Sequence, residues 1–231
     1  MVSFEEFSQN LKRLQDRVES ACAACGRKSA DVKILPVTKN HPFDAAQYAL
    51  RAGLLAVGEN RVQEAEQKIP QVGGLQWELI GHLQTNKAKK AAELFGRIQS
   101  VDSARLAQKL NSAAAALGKN LRVLLQVNAG RDPAKFGAEI EEAPFILEEI
   151  LKLPNLKIEG LMTIAPLDEN LDSASRAFAN LRVLRGKLAA EFGAELNELS
   201  MGMSGDLERA IAEGSTLIRV GTFLYGQRIY V

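Results

Sequence analysis

Apolar residues return along this chain in two rhythms. Phe4, Phe7, Leu11, Leu14 and Val18 recur at spacings of three and four, which lines one face of a helix until Gly26 ends it. Beyond it, short runs rich in Val, Ile and Leu read as eight strands, at 32–38, 55–58, 76–80, 97–101, 121–127, 157–162, 195–200 and 217–220. Longer amphipathic segments carrying Ala, Glu, Lys and Arg separate them and read as helices, at 44–52, 61–69, 87–94, 104–117, 140–151, 173–192 and 205–213. Strands that alternate with helices imply parallel pairing through right-handed crossovers. Eight such units behind one extra helix predict an α/β fold, a (β/α)8 TIM-type barrel. The structural rival is an open doubly wound sheet, whose edge strands would need charge or proline for protection. None of the eight runs is protected in that way. No repeat, low-complexity tract or long linker divides the chain. Residues 1–231 are therefore expected to form one barrel domain, with 1–26 as a helix packed on it.

Composition narrows the partners. The chain has 231 residues, 46% of them apolar, enough for a sizeable core. Lys and Arg number 29 against 28 Asp and Glu, so net charge gives no case for nucleic acid or a membrane surface. No stretch is long and apolar enough to span a bilayer, and the N-terminus is acidic rather than a basic signal region. A cytoplasmic protein is the expectation. Cys22 and Cys25 form a Cys-Ala-Ala-Cys pair, but no strand precedes it and no second ligand pair accompanies it. Two small buried thiols at a helix end account for it better than redox or zinc chemistry.

In a barrel, functional residues gather where strands end. Polar residues here do interrupt the apolar runs at that end: Lys39, Gly58-Glu59-Asn60, Gly81 through Lys87, Ser100-Val101-Asp102, Val127-Asn128 and Met162-Thr163. The last two runs carry Ser200-Met201-Gly202-Met203-Ser204-Gly205-Asp206 and Arg219-Val220-Gly221-Thr222. These bring glycines and hydroxyls to the two loops where such barrels commonly hold phosphate. Taken by itself, Ser204 also reads as a plain helix cap, with Asp206 and Glu208 in the first turn; both segments together favour phosphate. A strand-end lysine is ordinarily solvated. The apolar run before Lys39 and the bend at Pro42 instead place this one by the barrel axis, where desolvation would lower its pKa and favour the neutral amine. A phosphate cup and such an amine suggest a phosphorylated aldehyde held as a Schiff base. Pyridoxal phosphate is the first candidate.

Val37-Thr38-Lys39, Gly58-Glu59-Asn60, His82-Leu83-Gln84-Thr85-Asn86-Lys87, the Ser200–Asp206 segment and Ile218 through Thr222 with Tyr225-Gly226 resemble the pyridoxal phosphate homeostasis proteins. That family shares its barrel with alanine racemase, and the resemblance runs along essentially the whole chain. It implies that Lys39 forms the Schiff base and that Ser204, Gly205, Gly221 and Thr222 form the phosphate cup. It also implies that Arg219 lies near the pyridine ring and that Asn60 and Met162 line the cofactor cavity. His82 and Asn86 lie in the signature after the third strand; for His82 a satisfied loop histidine and a catalytic one both stay open. The lysine motif departs from the family's usual Ser-Lys, since Thr38 keeps the hydroxyl and adds a methyl. His41 follows closely and is expected to be an exposed turn histidine.

The resemblance implies a protein that binds pyridoxal 5'-phosphate, keeps free aldehyde low and hands the cofactor to apo-enzymes, with no robust reaction of its own. Racemases of this type carry a further all-β domain whose tyrosine, from a partner subunit, is the second acid/base. Here the run ends in a short tail with Tyr225 and Tyr230, and Lys39 is the evident base. A monomer is expected. The alternatives are a reduced, single-domain amino-acid racemase, a Schiff-base aldolase, which would need a carboxylate–lysine pair inside the barrel, and an interaction scaffold.

Overall fold

Strands buried on both faces must find parallel neighbours on each side, and here they do so around a circle. The computed structural model describes residues 1–166 and 171–226. Its strands are β1 (Lys33–Pro36), β2 (Ala56–Glu59), β3 (Gln76–Leu79), β4 (Arg97–Val101), β5 (Leu121–Gln126), β6 (Leu156–Met162), β7 (Glu198–Ser200) and β8 (Leu217–Val220). Its helices are α1 (Phe4–Ala24), α2 (Asp44–Arg51), α3 (Val62–Lys68), α4 (Ala88–Leu94), α5 (Ala104–Ala116), α6 (Ala143–Leu151), α7 (Leu171–Phe192), α8 (Leu207–Ala212) and α9 (Thr222–Tyr225). The sheet runs β1-β8-β7-β6-β5-β4-β3-β2, every pair parallel. A parallel bridge between Val37 and Gly58 closes β1 on β2, with the Thr38 N–H donating to the Gly58 carbonyl at 2.9 Å. The fold is thus the (β/α)8 barrel that the alternating pattern predicts, with α1 as the extra helix.

Several boundaries move for identifiable reasons. The strand expected over 195–200 shrinks to Glu198–Ser200, because Leu196 turns into the outer core instead of pairing. The strand expected over 32–38 is Lys33–Pro36, paired to β8 up to Val220; Val37 follows as an isolated bridge to Gly58. The helix expected from 140 starts at Ala143, where Pro144 fills the first turn. The helix expected over 205–213 is Leu207–Ala212. Ser204 does not cap it; the residue at its N-cap is Asp206, whose carboxylate accepts from the Met203 N–H.

α1 starts at Ser3, whose hydroxyl accepts the Glu6 N–H at 3.1 Å, and it buries Phe7, Leu11, Leu14, Val18 and Cys22. That face lies against α8 and α9 and against α2, where the Phe7 and Tyr48 rings lie 5.9 Å apart. Cys25, expected to be buried, is exposed, since the helix ends at Ala24 and turns it outward. His41, expected to be exposed, is buried and lies 5.3 Å from the Tyr225 ring. Tyr225 in turn donates to the Ala45 carbonyl at 2.9 Å. Tyr230 lies outside the described residues.

The inside of the barrel is unusual at its N-terminal end. Branched apolar side chains normally fill such a barrel, yet here Arg97 is buried with Glu78 at 2.8 Å, Glu198 at 3.0 Å and Glu159 at 3.2 Å, and Lys33 reaches Glu198 at 2.9 Å. Burial alone would lower the Arg97 pKa; Glu78 and Glu198 outweigh it and hold the guanidinium firmly charged. Deleting one partner of such a cluster strands the opposite charges in a low-dielectric space. Arg97→Met is accordingly expected to lower the unfolding free energy, measured with urea, by about 3–5 kcal/mol. A loss below about 1 kcal/mol, the range of exposed pairs, would show the carboxylates to be hydrated already.

Candidate functional site

At the opposite, C-terminal end of the strands, loops from β1, β2, β3, β5, β6, β7 and β8 border one cavity of about 370 Å3. Lys39, Asn60, Ser204, Gly205, Arg219, Gly221 and Thr222 all line it, together with Val37, Ile80, Gly81, His82, Gln126, Phe136, Ile164 and Met203. Met162 does not line it. It is fully buried, in register with Gln126 on one side and Ser200 on the other, inside the barrel beneath the cavity. Asn86 is exposed and borders a hollow between α4 and α5 instead.

Lys39 is half-buried, and the backbone on both sides of it is clamped. Lys68, buried on α3, donates to the Thr38 carbonyl at 2.9 Å and pairs with Glu59 at 2.8 Å and Glu64 at 3.4 Å. The Thr38 hydroxyl donates to the same Glu59 oxygen at 2.8 Å, so the hydroxyl that Thr shares with Ser is in use. Glu64 accepts the Asn40 N–H at 2.9 Å, at a residue with φ of +59°, a left-handed conformation that asparagine tolerates well. Three charged side chains thus fix residues 38 and 40 and leave Lys39 between them. Burial raises the Glu59 pKa, with Lys68 acting against it. Glu64 titrates low, since the Asn40 N–H and Lys68 together outweigh its own burial. Sequence reasoning missed Lys68; its spacing of four from Glu64 on a helix was the available signal.

The loops after β7 and β8 form the other wall. Among the described residues the N–H groups of Ser204, Gly205, Gly221 and Thr222 make no backbone hydrogen bond, so a concave set of donors borders the cavity. Gly202 allows the first loop to pack close. Its φ is +96°, and a Cβ there would lie 2.5 Å from the Ala210 side chain. Gly81 does the same for Asn60, whose carbonyl would sit 2.2 Å from an added Cβ.

Arg219 is buried at the cavity floor. It donates to the Ser200 hydroxyl at 2.7 Å and the Thr163 carbonyl at 2.8 Å, and among the described residues no carboxylate touches it. Burial pushes its pKa down to about 10, against the pull of Asp206, so it stays a cation at neutral pH. Gln126 donates to the Phe136 carbonyl at 2.9 Å, while its buried Oε1 has no partner among the described residues. At the rim, His82 stacks on Phe136 with centroids 4.0 Å apart, and its Nδ1 lies 3.3 Å from an oxygen of Asp102. Burial raises the Asp102 pKa and His82 opposes it. Neither Gln126 nor Phe136 was legible beforehand, because each acts through a loop that folds back on β5.

Comparison with known proteins agrees with this geometry. A sequence profile of the alanine racemase N-terminal domain matches residues 6–229. The pyridoxal phosphate homeostasis protein of Aquifex aeolicus is 39% identical over 224 residues, covering 96% of this chain and 98% of that one. PipY of Synechococcus elongatus PCC7942, solved with PLP bound, superposes with a TM-score of 0.84 at 38% identity, covering 95% of this chain and all of that one. Alanine racemase of Clostridium difficile 630 shares the fold at a TM-score of 0.77 and 19% identity, covering 96% of this chain and 57% of that one.

The clamp on Lys39 has a pH signature. Lys68→Met removes the cation that holds the Glu59 pKa down, so that pKa rises further above its unfolded value. A carboxylate with a raised folded pKa loses stability as pH rises through that pKa. The stability deficit of Lys68→Met against the parent is therefore expected to be larger at pH 8 than at pH 5, measured by urea unfolding. An equal deficit at both would show that Glu59 does not depend on Lys68.

Proposed function

The chain belongs to the pyridoxal phosphate homeostasis protein family, and from that premise we propose that its cavity holds pyridoxal 5'-phosphate through Lys39. The observation that carries the reading is a convergence on one cavity: a clamped lysine and, among the described residues, four N–H groups without backbone partners and a buried guanidinium touched by no carboxylate. The amine condenses with the aldehyde and releases water. The Ser204 and Thr222 hydroxyls and the N–H groups of Gly205 and Gly221 take the dianionic phosphate. A volume of about 370 Å3 suits a ligand of this size.

Pyridoxal phosphate, when bound, supplies an electron sink for bonds breaking beside an attached amino group. The residues around it temper that chemistry. Arg219 remains a cation at the cavity floor, and a cation facing the ring disfavours a proton on the ring nitrogen, which weakens the sink. Asn60 borders the same space, held there by the close approach of Gly81. A retained aldehyde with little drive toward turnover suits a protein that buffers the cofactor and releases it to apo-enzymes. The names of its relatives, homeostasis proteins rather than enzymes, support this. The described residues contain no helix long and apolar enough to cross a membrane.

One observation favours a second reading, a single-chain amino-acid racemase. His82 borders the cavity with Asp102 at its Nδ1, the pairing that orients an imidazole for proton transfer. Holo-protein incubated with L-alanine would then lose the optical activity of its substrate, and His82→Gln would stop it. No turnover in the parent protein removes this reading.

The main reading is tested by borohydride reduction after incubation with pyridoxal phosphate, followed by peptide mass spectrometry. The expected result is one pyridoxyl label on Lys39, absent in Lys39→Ala. Ser204→Ala is expected to keep the label and weaken affinity about tenfold, the worth of one hydrogen bond to a charged group. Label scattered over exposed lysines would overturn the assignment.

A further inference from the structure

The two halves of the cup come from different strands and lead into helices of six and four residues, so something must hold them in mutual register. One side chain reaches both from outside the barrel. Arg17 on α1 donates through Nε and Nη2 to one oxygen of Glu208 at 2.9 and 2.7 Å, and through Nη2 to the Ser204 carbonyl at 3.3 Å. Its guanidinium carbon also lies 5.1 Å from the centre of the Phe223 ring, the residue after Thr222. We infer that Arg17 is a positioning residue for the phosphate cup and sets its preference for a phosphorylated ligand.

The argument is one of peptide geometry. In a trans peptide the carbonyl and the following N–H point in opposite directions. Pinning the Ser204 carbonyl outward on Arg17 therefore aims the Gly205 N–H the other way, and Gly205 lines the cavity. With no Cβ and nothing within 4 Å of the place one would occupy, Gly205 offers little resistance to rotation of this peptide. The restraint has to come from its carbonyl side. Arg17 is itself held in place, since α1 buries Phe7, Leu11, Leu14 and Val18 and joins the second half of the cup through the Asn10 amide on the Leu224 carbonyl at 3.3 Å. The Arg17 side chain is 33% exposed, so its pair with Glu208 contributes little to stability; its effect falls on the aim of one N–H.

This rests on the cavity holding pyridoxal phosphate, and the experiment separates the two. Dissociation constants for pyridoxal phosphate and for pyridoxal are measured on the parent protein, Arg17→Met and Lys12→Ala; Lys12 belongs to an exposed pair with Asp16 on the same helix. Arg17→Met is expected to weaken pyridoxal phosphate about tenfold while pyridoxal is unchanged, and Lys12→Ala to alter neither. A parent protein that does not prefer pyridoxal phosphate would overturn the underlying reading, whatever the variants do. A parent that prefers it, with an unchanged ratio of constants in Arg17→Met, overturns the role of Arg17. If thermal unfolding shows Arg17→Met to be misfolded, Arg17→Lys takes its place. An ammonium cannot fork to the Ser204 carbonyl and Glu208 as the guanidinium does, and a parental ratio in that variant equally overturns the proposal.

Discussion

A barrel of eight strands has no room for bulk water, so each polar side chain turned inward must be answered by another. In this chain the answer is a continuous series. Arg219 donates to Ser200, Ser200 to Gln99 at 2.6 Å, and Gln99 to Glu78 at 2.6 Å; Glu78 pairs with Arg97, which also holds Glu198. The cation under the cavity is thus tied through the barrel axis to the ion cluster at the far end. Apolar filling would have given a simpler core, but it could not have kept a guanidinium buried and charged beneath the site. The stabilising end of the barrel and its chemical end share one hydrogen-bonded series.

The same economy governs the lysine. A Lys39 side chain on an unrestrained loop would sample many positions, and a lasting imine needs few. The restraint comes from outside the cavity, where Lys68 grips the Thr38 carbonyl and Glu59 while Glu64 grips the Asn40 N–H. Lys68 and Glu59 form a carboxylate–lysine pair of the kind an aldolase would need, yet neither side chain lines the cavity. With Glu64 they hold the backbone on either side of Lys39 instead.

The N-terminal helix extends the pattern to the phosphate side. It covers α8 and α9, the shortest helices of the barrel, where the usual ring is thin. Its apolar face makes it part of the core, and Arg17 on its flank meets both halves of the cup. A helix that reads as an addition to the barrel is therefore joined to the loops after β7 and β8 that wall the cavity.

The sequence by itself determined the architecture and most of the cavity wall. Alternating apolar runs and amphipathic segments leave few options other than a closed parallel sheet, and closure puts strand ends together; hence Lys39, Asn60, Ser204, Gly205, Arg219, Gly221 and Thr222 could be named in advance. Residues that act through a backbone carbonyl or a neighbour's carboxylate leave no such mark. Gln126, Arg17, the hold of Lys68 on Thr38 and the burial of His41 were not legible because their partners are 10, 187, 30 and 184 residues away in the chain; the spacing of Lys68 from Glu64 marked only their pairing. The resemblance assigned Met162 to the cavity, but the residue is fully buried inside the barrel and does not border that space. Local pattern records which face of an element is apolar. How deep a residue lies, and which peptide a distant cation restrains, are decided only when the strands close.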